Sequence, residues 1–325
     1  MDLCEVAATQ HHAFTTPQAK ACGHTWRTVV AEVSSGRWLE LGRGVFVERA
    51  VWDGLDREDQ HRCRLHGRLL AMRSSSWSAA RRSAAVMHKL PFIGFPPERP
   101  QLVRDAGGKK THGHDRHERI ADVPSDDLVE VDSVQATSVL RTFLDIAAEE
   151  PFRNAVVVAD AALRRGVKQE DLIAGARALG SDVALEAATF AEALAESALE
   201  SISRVAYRVL QVPLPRPQVK VLYAGEVIAR VDNLWDEFNT IGQADGALKY
   251  KDSARVMRDK WQDERLESVG FEVVRWGWQD AWQPVLLRGP LKRAFARGRD
   301  KTIDPGVRLV QATLAETLAT WKRVA

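Results

Sequence analysis

The sequence predicts a multi-domain α/β protein, and three observations carry that expectation. Its 325 residues exceed one ordinary domain, so two or three are expected. Residues 1–52 read as short helices followed by a hairpin, and residues 53–184 mix helices with strands. Residues 185–325 read as helix, three strands, helix, strand, helix. These three stretches are the expected domains. With 45% hydrophobic and 28% charged residues, the chain can bury real cores. No internal repeat or low-complexity tract interrupts it.

In the first stretch, Thr15-Thr16-Pro17 supplies a hydroxyl cap and a first-turn proline, opening a helix that Gly23 stops. His24-Thr25 open a second helix to about Ser34, with Trp26, Val29, Val30 and Val33 at helical spacing. Two strands, Arg37–Leu41 and Val45–Glu48, flank the turn Gly42-Arg43-Gly44. Helix, turn, helix and two-stranded wing is the order of a winged helix-turn-helix.

In the middle stretch, Asp56–Met72 and Trp77–Leu90 are predicted helices, and a Pro/Gly-rich connection leads to a strand at Gln101–Arg104. Residues 105–119 are polar, basic and Gly-containing, which predicts an exposed loop. His112, His114 and His117 there are loosely spaced, so a solvated loop outweighs a metal site. Strands follow at Ile120–Val123 and Leu128–Val131, then helices at Thr137–Glu149, Asn154–Arg165, Gln169–Leu179 and Leu185–Leu210.

Pro213, Pro215 and Pro217 end that last helix within five residues. Val219–Tyr223 and Val227–Val231 form a hairpin across Ala224-Gly225, and Glu237–Ala244 is the next strand. A helix at Arg255–Val269, a strand at Phe271–Trp276 and a helix at Gln279–Phe295 complete the series. Trp235, Trp261, Trp276, Trp278 and Trp282 concentrate here, with packing as their default role.

The net charge is only +2, so nucleic acid would be gripped by a local patch rather than by the whole surface. Cys4, Cys22 and Cys63 are odd in number and lack C-x-x-C spacing, which argues against a disulfide framework and a structural zinc site. No apolar run approaches the ~18 residues of a membrane span, and residues 1–14 lack a secretion signal, so a cytoplasmic protein with no membrane partner is expected. A Walker-type loop and a G-x-S-x-G elbow are both missing, which removes NTPase and esterase readings.

Acidic residues fall where the last strands would present them together. Asp232 ends a strand in VIARVDNLW, and Glu200 lies on the long helix. Gln243 and Asp245 are two apart in IGQADG, so both side chains leave one face of their strand. Carboxylates converging from neighbouring strands suit Mg²⁺ (or Mn²⁺), which takes hard oxygen ligands and keeps positions for water and phosphate. Such an ion lowers the pKa of bound water and neutralises charge growing on a phosphodiester. Taken alone, Asp232 and Asp245 read as turn and cap residues.

From about Ser197 to Trp282, the order ESALES, RVD, QADG, KY, helix and VVRW resembles the Vsr-like branch of the PD-(D/E)XK nucleases. The resemblance implies a restriction-endonuclease-like α/β domain. It makes Asp232 the central metal ligand, with Gln243 and Asp245 beside it, and Glu200 the helix carboxylate supporting the site. Lys249 stands near the second half of the motif, where a strict pattern would place lysine at the position of Asp245. Lys260, Arg265 and Arg275 match basic positions suited to phosphate contact. The family pattern has Glu where this chain has Gln243, and an amide carries no charge and takes no proton. An introduced inactivation and a natural pseudo-nuclease both explain this. The survival of Glu200, Asp232 and Asp245 favours the first.

FTTPQAKACGHTWRTVVAEVSSGRWLELGRGVFV resembles the winged-helix module of AbiEi-type antitoxins of bacterial abortive-infection systems. HKLPFIGFPPERPQLV and NAVVVADAALRRG resemble the domain that follows it there. Together these cover roughly residues 10–180. In such a module the second helix enters the major groove and the wing touches phosphates. That points to Lys20, Trp26, Arg27, Arg37 and Arg43 as DNA contacts.

The expected function is therefore metal-dependent DNA cleavage or nicking, in phage defence or repair, with the N-terminal half gripping the substrate. Pairing of two sites in a homodimer would suit double-strand cleavage. The alternative is a non-catalytic, antitoxin-like DNA-binding regulator, and a third reading gives the chain a toxin partner.

Overall fold

The computed structural model describes residues 2–72, 76–105, 118–121, 123–246 and 253–321. By contacts, the chain divides into two compact units: residues 1–150 with 174–181, and residues 151–173 with 182–325.

The first unit begins α1 (Leu3–Ala8), β1 (Phe14–Thr15), α2 (Thr16–Ala21), α3 (Trp26–Ser34), β2 (Trp38–Gly42) and β3 (Val45–Glu48). Thr15 caps α2 by accepting from Gln18 N, and Thr25 caps α3 by accepting from Thr28 N. The three strands pair in the order β1-β3-β2. Leu3, Ala7, Phe14, Ala19, Val29, Trp38 and Phe46 form their common core, and Phe14 meets Trp38 edge-on with ring centres 4.7 Å apart. The two predicted helices and the hairpin are present. The added strand β1 is two residues long, too short for a period to show.

After these come α4 (Arg49–Gly54), α5 (Arg57–Met72), β4 (Trp77–Ala79), α6 (Arg81–Met87), β5 (Leu102–Asp105), β6 (Glu118–Ala121), β7 (Leu128–Val131), β8 (Val134–Thr137) and α7 (Val139–Glu149). The strands form a five-stranded sheet ordered β6-β5-β4-β8-β7. The predicted helix Trp77–Leu90 is half wrong, because its first residues are β4 at the centre of this sheet. Trp77 pairs with Arg104 and Ala79 with Ala136. Ala79 is fully buried, and tertiary pairing overrides the helical preference of an alanine run. The histidine-rich part of the predicted loop, residues 106–117, lies outside the described residues.

The remaining elements are α8 (Phe152–Arg164), α9 (Gln169–Leu179), α10 (Asp182–Phe190), α11 (Ala198–Leu210), β9 (Arg216–Tyr223), β10 (Glu226–Trp235), β11 (Thr240–Ala244), α12 (Ser253–Ser268), β12 (Glu272–Trp276), α13 (Trp278–Trp282), α14 (Pro284–Arg299), β13 (Val307–Gln311) and α15 (Leu314–Trp321). The sheet order is β12-β11-β10-β9-β13. All neighbours are antiparallel except β11 and β12. A parallel pair needs a crossover, and α12 supplies it. Val219, Val221, Val231, Leu234 and Ile241 from the sheet pack with Leu266, Val269 and Phe271. Gly242 is fixed by packing: a Cβ there would run into the Trp276 and Trp235 rings.

Four sequence expectations change here. The single helix Leu185–Leu210 is two, because residues 191–197 leave helical geometry and Ser197 caps a new start. The helix Gln279–Phe295 also splits, and Pro284 opens α14. Asp232 lies within β10 rather than at its end. The strand predicted from Glu237 starts at Thr240, after a 3₁₀ turn and Asn239 in the left-handed region at φ 44°. Strand β13 went unpredicted, since its half-exposed residues carry no clean alternation.

Candidate functional site

The register of the second unit's sheet lines up three side chains. Val219 pairs with Val231 and Pro217 with Asn233, which puts Gln218 opposite Asp232. Asn233 pairs with Gly242, which puts Gln243 next in line opposite Asp232. At this point side chains replace part of the backbone ladder: the Asp232 N–H donates to Gln243 Oε1 at 3.3 Å, and the Ala244 N–H donates to Asp232 Oδ2 at 2.8 Å.

Glu200 reaches the same place from the first turn of α11. Its carboxylate accepts from the Ser197 hydroxyl at 2.8 Å and the Glu196 N–H at 2.9 Å, while Ser197 Oγ accepts the Glu200 N–H. Gln218 Nε2 donates to Glu200 Oε2 at 3.0 Å and to Asp232 Oδ1 at 3.4 Å. Burial first, and then the Asp232 charge, push the Glu200 pKa up to about 8. A helix N-terminus favours an anion, but here desolvation wins.

Two ion pairs involve residues flanking these carboxylates in sequence. Arg230, two residues before Asp232, pairs with Glu196. Arg204 does not pair with Glu200 one turn away. It holds the fully buried Asp160 at 3.1 Å, and Asp160 also accepts the Glu192 N–H at 2.7 Å. Burial raises the Asp160 pKa, with the Arg204 charge opposing. Arg164 is 4% exposed, and its Nε and Nη1 have no hydrogen-bond partner.

Asp245 follows a different course from Gln243. Its carboxylate accepts from Arg275 Nη1 at 2.7 Å, and Arg275 makes two further 2.7 Å bonds to Asp263 on α12. Burial alone would lower the Arg275 pKa, but the Asp263 and Asp245 carboxylates outweigh it and hold the guanidinium charged. That side chain is committed internally rather than presented to a phosphate. Lys260 and Arg265 are exposed on α12, with Lys260 3.8 Å from Glu264. Lys249 lies outside the described residues.

Glu200 and Asp232 fit a divalent cation, because two carboxylates converge on one amide donor and offer hard oxygen ligands. Gln243 offers an amide oxygen beside them. Among the described residues no three His, Cys, Asp or Glu side chains group closely enough to hold an ion. The ligand set is thus narrower than the three positions expected from sequence.

In the first unit, Lys20, Trp26, Arg27, Arg37 and Arg43 are all exposed. Trp26 is 62% exposed and borders a groove of about 860 Å³ with Val30, Gly42, Arg43 and Arg68. Arg37 is tied to Glu32 by Nε at 2.5 Å and Nη2 at 2.8 Å.

Two features of the second unit escaped the sequence reading. Gln218 carries no motif. The basic face of α14, with Arg288, Lys292 and Arg293 exposed and no acidic residue along the helix, is legible only as composition, without a motif. Trp278 and Trp282 just before it are 40% and 42% exposed, and the Trp282 ring lies under Arg153 at 4.3 Å. No described helix is long and apolar enough to cross a membrane.

No protein-family model matches the chain. It is 29% identical over 144 residues to the uncharacterized proteins MT2308 and Rv2248 of two Mycobacterium tuberculosis strains, covering 43% of this chain and 53% of each relative. The chain thus spans about half the length of the curated relatives it matches. It is also similar to the crystal structure of the RV2827C protein from Mycobacterium tuberculosis, at 13% identity and a TM-score of 0.36 over 58% of this chain and 73% of that one.

Proposed function

We propose that the second unit is a PD-(D/E)XK-type, DNA-acting domain whose cation site is Glu200 with Asp232, and that Gln243 disables cleavage. The observation that carries this is the convergence of Glu200 and Asp232 around one amide donor, with Glu200 raised to about 8. The order α11-β9-β10-β11-α12-β12, with β11 and β12 parallel, supports the same reading. A bound Mg²⁺ or Mn²⁺ would supply water activation and charge neutralisation at a phosphodiester. Glu200 and Asp232 would hold it. Gln243 would orient, through its amide oxygen, but cannot take a proton from water. The α14 cations Arg288, Lys292 and Arg293 would hold phosphates, and the first unit, read as a winged helix, would grip duplex DNA through Trp26, Arg27 and Arg43.

The test is plasmid cleavage with Mg²⁺ or Mn²⁺ by the parent chain, Gln243→Glu, and Gln243→Glu with Asp232→Ala. Cleavage by Gln243→Glu alone supports a nuclease disabled at one position. Persistent inertness with retained DNA binding overturns the catalytic reading. A second reading, a DNA-binding regulator without catalysis, is favoured by the Arg275 bridge, which commits Asp245 to Asp263's partner rather than to the carboxylate pair.

A further inference from the structure

Gln218 is 1% exposed and sits in the left-handed region at φ 50°, inside a strand and on a residue that is not glycine. That backbone conformation is unfavoured, so something must hold it. On one side, the Gln218 carbonyl accepts the Ala312 N–H at 2.8 Å. On the other, its side-chain Nε2 donates to both members of the carboxylate pair, Glu200 at 3.0 Å and Asp232 at 3.4 Å. One amide N–H₂ group thus donates to both carboxylates at once.

We propose that Gln218 competes with a divalent cation for Glu200 and Asp232, holding the two carboxylates together until the ion displaces its amide. The proposal rests on the cation reading above. The physical reason is a shared position: an ion bridging these oxygens and an amide donating to both need the same space. Gln218 therefore stabilises the ion-free form and weakens cation binding. Because its amide nitrogen faces the pair, it is a positioning residue in this state and not a ligand. Turning that oxygen inward would reverse its effect, so the sign of the change on removing the amide decides between the two roles.

The experiment measures Mn²⁺ affinity, from the electron-resonance signal of the free ion, and Mg²⁺ affinity by calorimetry. The full chain is compared with Gln218→Met, which keeps length without donors, with Gln218→Ala, and with Asp232→Ala. Expected is binding that Asp232→Ala abolishes and that Gln218→Met tightens roughly tenfold, the worth of about one charge-assisted hydrogen bond. In the parent chain, the Gln218 side-chain amide resonances should also shift on Mg²⁺ addition, which tests displacement without any variant having to fold. Unchanged or weaker binding in Gln218→Met, with Asp232→Ala still abolishing it, overturns the role of Gln218 and leaves the cation site standing. Absence of any binding sensitive to Asp232→Ala overturns both.

Discussion

The Asp232 N–H donates to the Gln243 side-chain oxygen at 3.3 Å, so residue 243 is an acceptor to the backbone of the very residue it was expected to assist. A glutamate at 243 could accept the same bond. It would also bring a further carboxylate beside Asp232 and Glu200, at a position only 6% exposed. Without divalent ions, Gln243→Glu should therefore lower stability by roughly 1–3 kcal/mol, read from urea unfolding in EDTA. Added Mg²⁺ should recover part of the loss, because a ligand bound only by the folded state stabilises it. Equal stability with no response to Mg²⁺ would argue against a cation site at this place.

Glu200 makes a pH prediction whose sign is fixed. Its folded-state pKa of about 8 lies above that of an exposed glutamate, about 4.3. Below the lower value both states hold the proton, and the stability linked to it is fully present. As pH rises, the unfolded chain releases the proton while the folded chain keeps it, so stability falls until the folded value is passed. Glu200→Gln removes this dependence. The parent should lose stability relative to the variant between about pH 5 and about pH 8, in denaturant melts at matched ionic strength. A difference that stays flat across that range would contradict the burial of this carboxyl.

The Asp160–Arg204 pair joins a fully buried carboxylate to a guanidinium whose side chain is 11% exposed. Asp160→Ala strands the guanidinium and frees the Glu192 N–H, and should cost about 3–5 kcal/mol in urea unfolding. Asp160→Asn keeps an acceptor for that N–H and should cost less. Equal costs would mean that charge, not hydrogen bonding, is all that Asp160 contributes.

In the first unit, Arg43 and Arg37 should separate. Arg43→Ala on the wing turn should weaken duplex DNA binding and reduce the salt dependence by about one charge. Arg37 is held by Glu32, so Arg37→Ala should change affinity less. Trp26 is 62% exposed, so Trp26→Ala should leave folding within about 0.5 kcal/mol while lowering DNA affinity. Fluorescence anisotropy over a salt series reads all three, and indistinguishable Arg37 and Arg43 variants would remove the wing from the proposed interface.

Much of the local structure was legible because it is written in short-range chemistry. Thr15 and Thr25 announced α2 and α3 as caps, and Ala224-Gly225 announced the β9–β10 turn, where both adopt positive φ at 51° and 89°. Strand spacing in the sequence grouped Gln243 and Asp245 with Asp232; the structure keeps Gln243 beside Asp232 and turns Asp245 to Arg275. Errors arose where distant partners decide. Trp77–Ala79 is a strand only because β5 and β8 lie on either side. The helix before Ser197 ends where Asp160 takes the Glu192 N–H.

The sequence by itself determined the run of three strands, helix and strand from β9 to β12, the caps at Thr15 and Thr25 and the turn at Ala224-Gly225, since these depend on neighbours along the chain. Only the tertiary structure decided how the charges are shared: Asp245 to Arg275, Arg204 to Asp160, and Gln218 between Glu200 and Asp232. The physical reason is that a buried charge takes whatever partner the packed register brings to it, and in this sheet that register is set by pairings tens of residues apart.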